Sequence, residues 1–369
     1  MNWRFLKLGA LVGVFALSAV RADQGPEGVY VGTLGTSAVV VQFQRYSDAD
    51  ASATYFYRRI GRDIEMNGSA QGNVWTLTER IPDAGGGDRA TVKLTFGTNS
   101  ATGTWTDLKK KNSSLAVRLQ RATPADLAAL KLGGGAQVAA WRSGDPYNAL
   151  RFDAPFKTVD MQTVGGKRVQ WLTEPKSSVR LPRLPGESAA VNDALTLEHL
   201  KASSDALSCP LDDYEHNATL QLYSARLVSV SATVAYYCGG AHPATGNDNY
   251  TVDLRTGRAL ELDALYRFTT LPATRDENSQ AYANYWEAVG ATLRKLILAQ
   301  DGTLLKGLDA GCKDVYTDNS PLEYASWYLN ARGLVVQSNL PHVAAGCEND
   351  YTLPYTSLRA YLASNSPLR

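Results

Sequence analysis

Four histidines, His199, His216, His242 and His342, are the only imidazoles in the chain, so acid–base or metal chemistry that needs one must be built around them. None stands at a known catalytic spacing. A serine-hydrolase elbow needs glycine two before and two after the nucleophile, so that a sharp turn exposes it, and no Gly-x-Ser-x-Gly occurs. The zincin pattern of two histidines four apart around a glutamate is missing too. Asp212, Asp213 and His216 lie close together, but metal sites show more nitrogen and sulfur ligands at close spacing, so a solvated acidic loop is the favoured reading and no cofactor is implied. His242 follows a strand and two glycines, with Tyr237, Asn247 and Asp248 beside it. Such a turn can project an imidazole into a partner's cleft, where all four residues offer donors and acceptors. Alternatively the glycines turn the chain and the histidine bonds a backbone carbonyl to hold that turn. The second reading is favoured, because one histidine without a carboxylate or thiol at known spacing is weak evidence for a site. His342 reads as packed near Cys347 rather than catalytic. Paired carboxylates of the glycosidase kind leave no trace in a sequence with 36 acids.

The elements that position these residues fall into two groups. Residues 28–121 form a succession of short alternating runs at 29–34, 39–44, 54–58, 74–79, 91–96, 103–106 and 115–120, broken by Gly, Asn and Asp. Seven runs with turn signals between them predict one antiparallel β-barrel or sandwich over 23–122. Gly61 and Gly68 flank a short run at 63–66, and Gly85, Gly86 and Gly87 sit between strands, all read as turns that need positive φ. Residues 123–142 are a connector: Thr123 caps a short helix over 125–131, closed by Gly133, Gly134 and Gly135. Residues 143–369 mix both periods. Strand-rich sequence at 220–238 precedes a hairpin of 249–254 and 258–262 around Thr256 and Gly257. Tyr282, Tyr285, Trp286, Val289, Leu293, Leu296 and Ile297 make the apolar stripe of an amphipathic helix. A second hairpin joins 324–329 to 334–337, and a last short helix with Thr356 as cap follows Pro354. The fold class is α+β, an all-β domain followed by a mixed one. Nineteen tyrosines and seven tryptophans recur near loops, but most alternate on strands and read as core.

Residues 1–22 read as a cleavable signal peptide: Arg4 and Lys7, an apolar run at 8–17, then Val20, Arg21 and Ala22 before Asp23. The run falls short of the roughly 20 residues that span a bilayer, and no cysteine follows to carry lipid. The expectation is a soluble chain starting at Asp23, periplasmic or secreted, without membrane insertion. Removing 1–22 takes away three basic residues and no acid, which moves the formal net charge from +1 to −2. That balance argues against a nucleic-acid partner, and Lys109, Lys110 and Lys111 read as a solvated hairpin tip. An even number of cysteines in an exported chain suggests two disulfides. Of three pairings, Cys209 with Cys238 and Cys312 with Cys347 is favoured, since each pair then brackets one continuous stretch.

Two stretches carry a resemblance to a known family. One is Tyr236, Tyr237, Cys238, Gly239, Gly240, Ala241, His242 and Pro243, followed by 249–254, Thr256, Gly257 and the strand through Leu260, Leu262 and Asp263. The other is Trp327, Tyr328 and Leu329 leading to Gly333, Leu334 and Val335, with Leu353, Pro354, Tyr355 and Leu358 near the end. Over roughly residues 145–369 the chain resembles the C-terminal domain of the RsiV-like anti-sigma factors, which sense lysozyme; the same domain accompanies some peptidoglycan deacetylases. The resemblance implies an α+β fold with an antiparallel sheet and an envelope location. It points to lysozyme or peptidoglycan fragments as partners. The chain departs from that family in having no anti-sigma segment and no membrane helix. A deacetylase's metal would want an aspartate with paired histidines, and the pair is missing. In the first domain the rhythm of 28–35, 55–57, 61–68 and 103–105 is loosely similar to small ligand-binding barrels of the avidin and lipocalin kind. The preferred function is a non-enzymatic binding or inhibitor-like envelope protein. The alternatives are a cell-wall hydrolase or deacetylase with an unrecognised site, and a structural envelope module.

Overall fold

In a computed structural model the chain from Gly28 to Arg121 closes on itself. The structure describes residues 25–369 except 48, 81–86, 111–112, 131, 240–241, 301–309, 317–319, 339 and 341. The expected signal peptide, Gly85, Gly86, Lys111, Gly240 and Ala241 therefore lie outside the described residues. Eight strands, β1 (Gly28–Leu34), β2 (Ser37–Arg45), β3 (Ala51–Tyr57), β4 (Ile64–Gln71), β5 (Val74–Arg80), β6 (Asp88–Phe96), β7 (Ser100–Asp107) and β8 (Ser114–Arg121), pair antiparallel in order, and β8 returns to β1. This is a barrel, not a sandwich. Alternation sends Tyr30, Phe43, Trp75 and Phe96 inward, where they meet edge to face at 5.0–5.8 Å. Inward apolar residues and outward Thr76, Lys93, Thr95, Thr102 and Thr104 are the reverse of a membrane barrel's pattern.

The interior is filled. Leu34, Val39, Val41, Phe43, Tyr55, Met66, Val92, Leu94, Val117 and Leu119 leave about 20 Å³ among them, space for no more than a single water. The strand beyond the seven expected is β4. Gly68 lies inside it rather than in a turn, where a Cβ would stand 2.0 Å from the Thr76 carbonyl oxygen. Gly61 does occupy a turn, with φ of +80°. At the β7–β8 tip the Lys109 and Lys110 amides donate to Asp107 Oδ1 at 2.8 and 3.1 Å.

Three short helices follow: α1 (Pro124–Ala128), α2 (Ala136–Gly144) and α3 (Pro146–Ala149). Thr123 caps α1 in a capping box with Asp126, and the helix ends at Ala128, short of the expected 131. The connector covers the barrel, with Leu130, Tyr147 and Leu150 burying the outward Val40 and Phe56.

The second domain carries three antiparallel sheets. The first joins β9 (Lys157–Val164), β10 (Lys167–Thr173) and β11 (Arg180–Arg183). The second joins β12 (Tyr214–Tyr223), β13 (Leu227–Tyr236), β14 (Ala244–Asn247), β15 (Tyr250–Asp253) and β16 (Arg258–Ala259). The third joins β17 (Ser326–Leu329), β18 (Gly333–Gln337) and β19 (Asp350–Pro354). Helix α4 (Ala189–Ser208) packs on the first two sheets through Val191, Ala194, Leu195 and Ala202. Helices α5 (Leu262–Leu265), α6 (Gln280–Gln300) and α7 (Ala310–Val315) surround the third. The expected stripe of α6 is buried at Tyr285, Val289, Leu293 and Ile297. Strand β16 is shorter than expected because Leu262 already starts α5. After Pro354 there is only a 3₁₀ turn, Arg359–Tyr361, preceded by buried Leu358 rather than capped by Thr356. Disulfides join Cys209 to Cys238 and Cys312 to Cys347.

Candidate functional site

The glycine turn after β13 leads into β14, which returns beside β13 with Thr233 opposite Asn247 and Tyr236 opposite Ala244. Gly239 holds φ of +99°, a conformation a side chain would resist. This hairpin is tied at both its turn and its open end. Cys238 is bonded to Cys209 at the end of α4, the Tyr237 amide donates to the Asp213 carbonyl at 2.9 Å, and the Asp248 amide donates to the Ala232 carbonyl at 2.9 Å. Asn249 reaches across to Ser326 Oγ at 2.9 Å, joining the hairpin base to the third sheet.

The four residues singled out in sequence do not converge on one point. His242 is exposed with Nδ1 3.1 Å from the Pro243 carbonyl, Asn247 is exposed and Tyr237 half-buried. Asp248 turns the other way: its Oδ2 accepts from His216 Nε2 at 3.0 Å. His216 projects from β12 toward α4 with its side chain 1% exposed, and its Nδ1 has no hydrogen-bond partner among the described residues. Asp212 instead meets the Arg62 guanidinium on the surface, so Asp212, Asp213 and His216 form no cluster. Among the described residues no three His, Cys, Asp or Glu side chains gather so as to hold a metal ion. His342 opens a 3₁₀ turn, His342–Cys347, and its side chain lies outside the described residues.

Helix α4 lays more charge beside the His216–Asp248 pair. Burial raises the carboxyl pKa of Glu198, against the pull of Lys201 at 3.0 Å. The pKa of Asp205 is also raised, by desolvation and then by the Asp248 charge. Deeper in, His199 stacks on Phe156 at 4.3 Å. Its Nε2 donates to the Val179 carbonyl at 2.8 Å, which leaves Nδ1 to accept from Arg183 at 3.4 Å. Burial, then the Arg183 charge, pushes its pKa down to about 3, so the ring is neutral. Burial also lowers Arg183 to about 10. Among the described residues neither His199 nor His216 has a hydroxyl or thiol hydrogen-bond partner, so neither ring is set against a nucleophile there.

Sequence reading missed a second polar centre, at one mouth of the barrel. Glu79 points inward from β5, where Tyr55 Oη and Trp105 Nε1 both donate to its Oε2, at 2.9 and 2.7 Å. It opens on a cleft of about 340 Å³ lined by Asp63, Ile64, Glu65, Arg80, Arg89 and Pro210. The only sequence sign was a glutamate at an inward position of an alternating strand. Asp63, beside it, accepts from Tyr147 Oη and Arg151 Nη2, both at 2.7 Å; burial raises its pKa in spite of Arg151.

No family model matches the chain, and no curated protein matches it. Among solved structures, a DUF3298-family protein from Bacteroides fragilis is weakly similar, at 16% identity over 57% of this chain and 94% of its own, with a TM-score of 0.33. A DUF3298-family protein from Pseudomonas aeruginosa is similar at 14% identity over 57% of this chain and 95% of its own, with a TM-score of 0.32. Likeness at these scores carries no argument about function.

Proposed function

We propose that this chain is an exported, non-enzymatic binding protein of the cell envelope, whose α+β domain takes lysozyme or a cell-wall fragment as its partner. The observation that carries this reading is the β13–β14 hairpin. It is fastened at its turn by the Cys209–Cys238 disulfide and at its open end by the His216–Asp248 pair, while His242, Thr245, Gly246 and Asn247 stay exposed. A polar edge strand fixed at both ends loses little conformational freedom on binding. The resemblance to the lysozyme-sensing domain supports the choice of partner. So does charge: a chain at −2 after loss of residues 1–22 is steered toward a basic protein.

The test is to immobilise residues 23–369 and pass c-type lysozyme and soluble peptidoglycan fragments over it in parallel. Binding of at least one is expected. A His242→Ala, Asn247→Ala double variant should weaken it at least about tenfold, roughly 1.4 kcal/mol, at unchanged melting temperature. Asp248 is left in place because it holds His216. Unchanged affinity removes the hairpin from the interface, and binding to neither probe overturns the reading.

A further inference from the structure

We propose that the cleft between the barrel mouth and the α+β domain binds a small zwitterion of the amino-acid or short-peptide class, with the ammonium on Glu79 and the carboxylate on Arg89 and Arg80. Glu79 is 8% exposed at the mouth of a barrel whose core cluster is apolar. Burying a carboxylate there costs several kcal/mol unless a cation or enough donors answer it. Tyr55 and Trp105 both serve the same oxygen, Oε2, and no donor reaches Oε1 among the described residues. Asp63 shows the contrast, since its carboxylate is answered by the buried Arg151 guanidinium. The open acceptor in the cleft is therefore Glu79, with Glu65 beside it.

The two guanidiniums that line the cleft each meet one carboxylate that is not among its lining residues. Arg89 lies 3.5 Å from Asp107 and Arg80 lies 3.8 Å from Asp88, loose contacts that leave donors for a ligand carboxylate. A diamine would add cations beside Arg80 and Arg89 and leave their remaining donors unused, and a simple carboxylate would meet Glu65 and Glu79. A molecule bearing both charges satisfies both sets, and Ile64 and Pro210 supply apolar wall for its short side chains. A volume of about 340 Å³ suits a dipeptide-sized ligand. This site shares no residue with the hairpin, so the two proposals fail independently.

The Trp105 indole N–H donates to Glu79, which makes it a reporter. With residues 23–369 labelled at the indole nitrogens and the Trp105 signal assigned by Trp105→Phe, alanyl-alanine should shift that signal and saturate it at roughly millimolar concentration or below. N-acetyl-alanyl-alanine, which lacks the ammonium, and alanyl-alanine amide, which lacks the carboxylate, should each bind at least about tenfold more weakly. Glu79→Gln should abolish the response to the dipeptide. Arg89→Ala leaves Glu79 and its two donors in place, and should weaken the dipeptide about as much as amidation does. That variant decides the question if Glu79→Gln does not fold. No shift with alanyl-alanine up to roughly 10 mM, or an equal response to all three compounds, overturns the proposal.

Discussion

His199 is a core residue that uses its polarity only to satisfy its neighbours. Stacked on Phe156 and bonded to the Val179 carbonyl, it has a folded pKa of about 3 against 6.5 for a free ring. The unfolded chain therefore takes up a proton between these values that the folded chain refuses. Stability from the neutral ring is complete above pH 6.5 and is lost as pH falls toward 3, at about 1.4 kcal/mol per pH unit. His199→Gln keeps an N–H for the carbonyl and removes the titration. Urea unfolding at pH 7, 5 and 4 should show the wild-type advantage over this variant shrinking with acid. Parallel curves would rule out a ring held neutral by burial. His216 is a different case: it is bonded to a half-exposed carboxylate at the foot of the hairpin, and so it ties β12 to the loop that the proposed partner meets.

At the scale of elements, β4 and α4 show how packing overrides local pattern. Strand β4 runs through Gly68 because the neighbouring strand approaches too closely for a side chain. Gly68→Val should therefore cost about 1–3 kcal/mol or more, measured by urea titration, although valine is the better strand former; a stable variant would refute the close approach. Helix α4 is buried over most of its surface, with Asp193, Thr196, His199, Ser203 and Ser204 among its buried positions. Polar residues in the buried set erase the kind of single apolar stripe that announces α6, so local pattern does not reveal this helix. Asp193 has structural employment: both its carboxylate oxygens accept from amides at the start of α2, including Gln137 at 2.8 Å and Val138 at 3.3 Å.

The whole molecule turns on the seam between its domains. Arg151 is 1% exposed, pairs with Asp63 at 2.7 Å, donates to the carbonyls of Gly61 and Leu207, and lies over the rings of Phe56 and Tyr147. It thus binds the barrel's β3–β4 turn to the end of α4. Removing one partner of a buried pair leaves the other charge unanswered and costs about 3–5 kcal/mol. Arg151→Met should lower stability by that amount and, in calorimetry, divide the unfolding into separate barrel and α+β transitions. A variant that melts like the wild type would show that the seam is held by something else. The same seam forms the wall of the proposed zwitterion cleft, so Arg151→Met should also weaken any dipeptide response at Trp105.

The alternation of residues 28–121, the stripe of α6, the Thr123 cap and the bracketing of the cysteines were legible because each is a local signal, set by periodicity or by the chemistry of one turn. The sequence by itself therefore determined an all-β domain followed by an α+β domain and favoured the disulfide pairing that forms. Closure of β8 on β1, the burial of α4, the turning of Asp248 toward His216 and the placing of Glu79 beside Arg89 were decided only by tertiary structure. Each joins residues whose partner depends on strand register or helix docking, and neither is written in the neighbouring sequence.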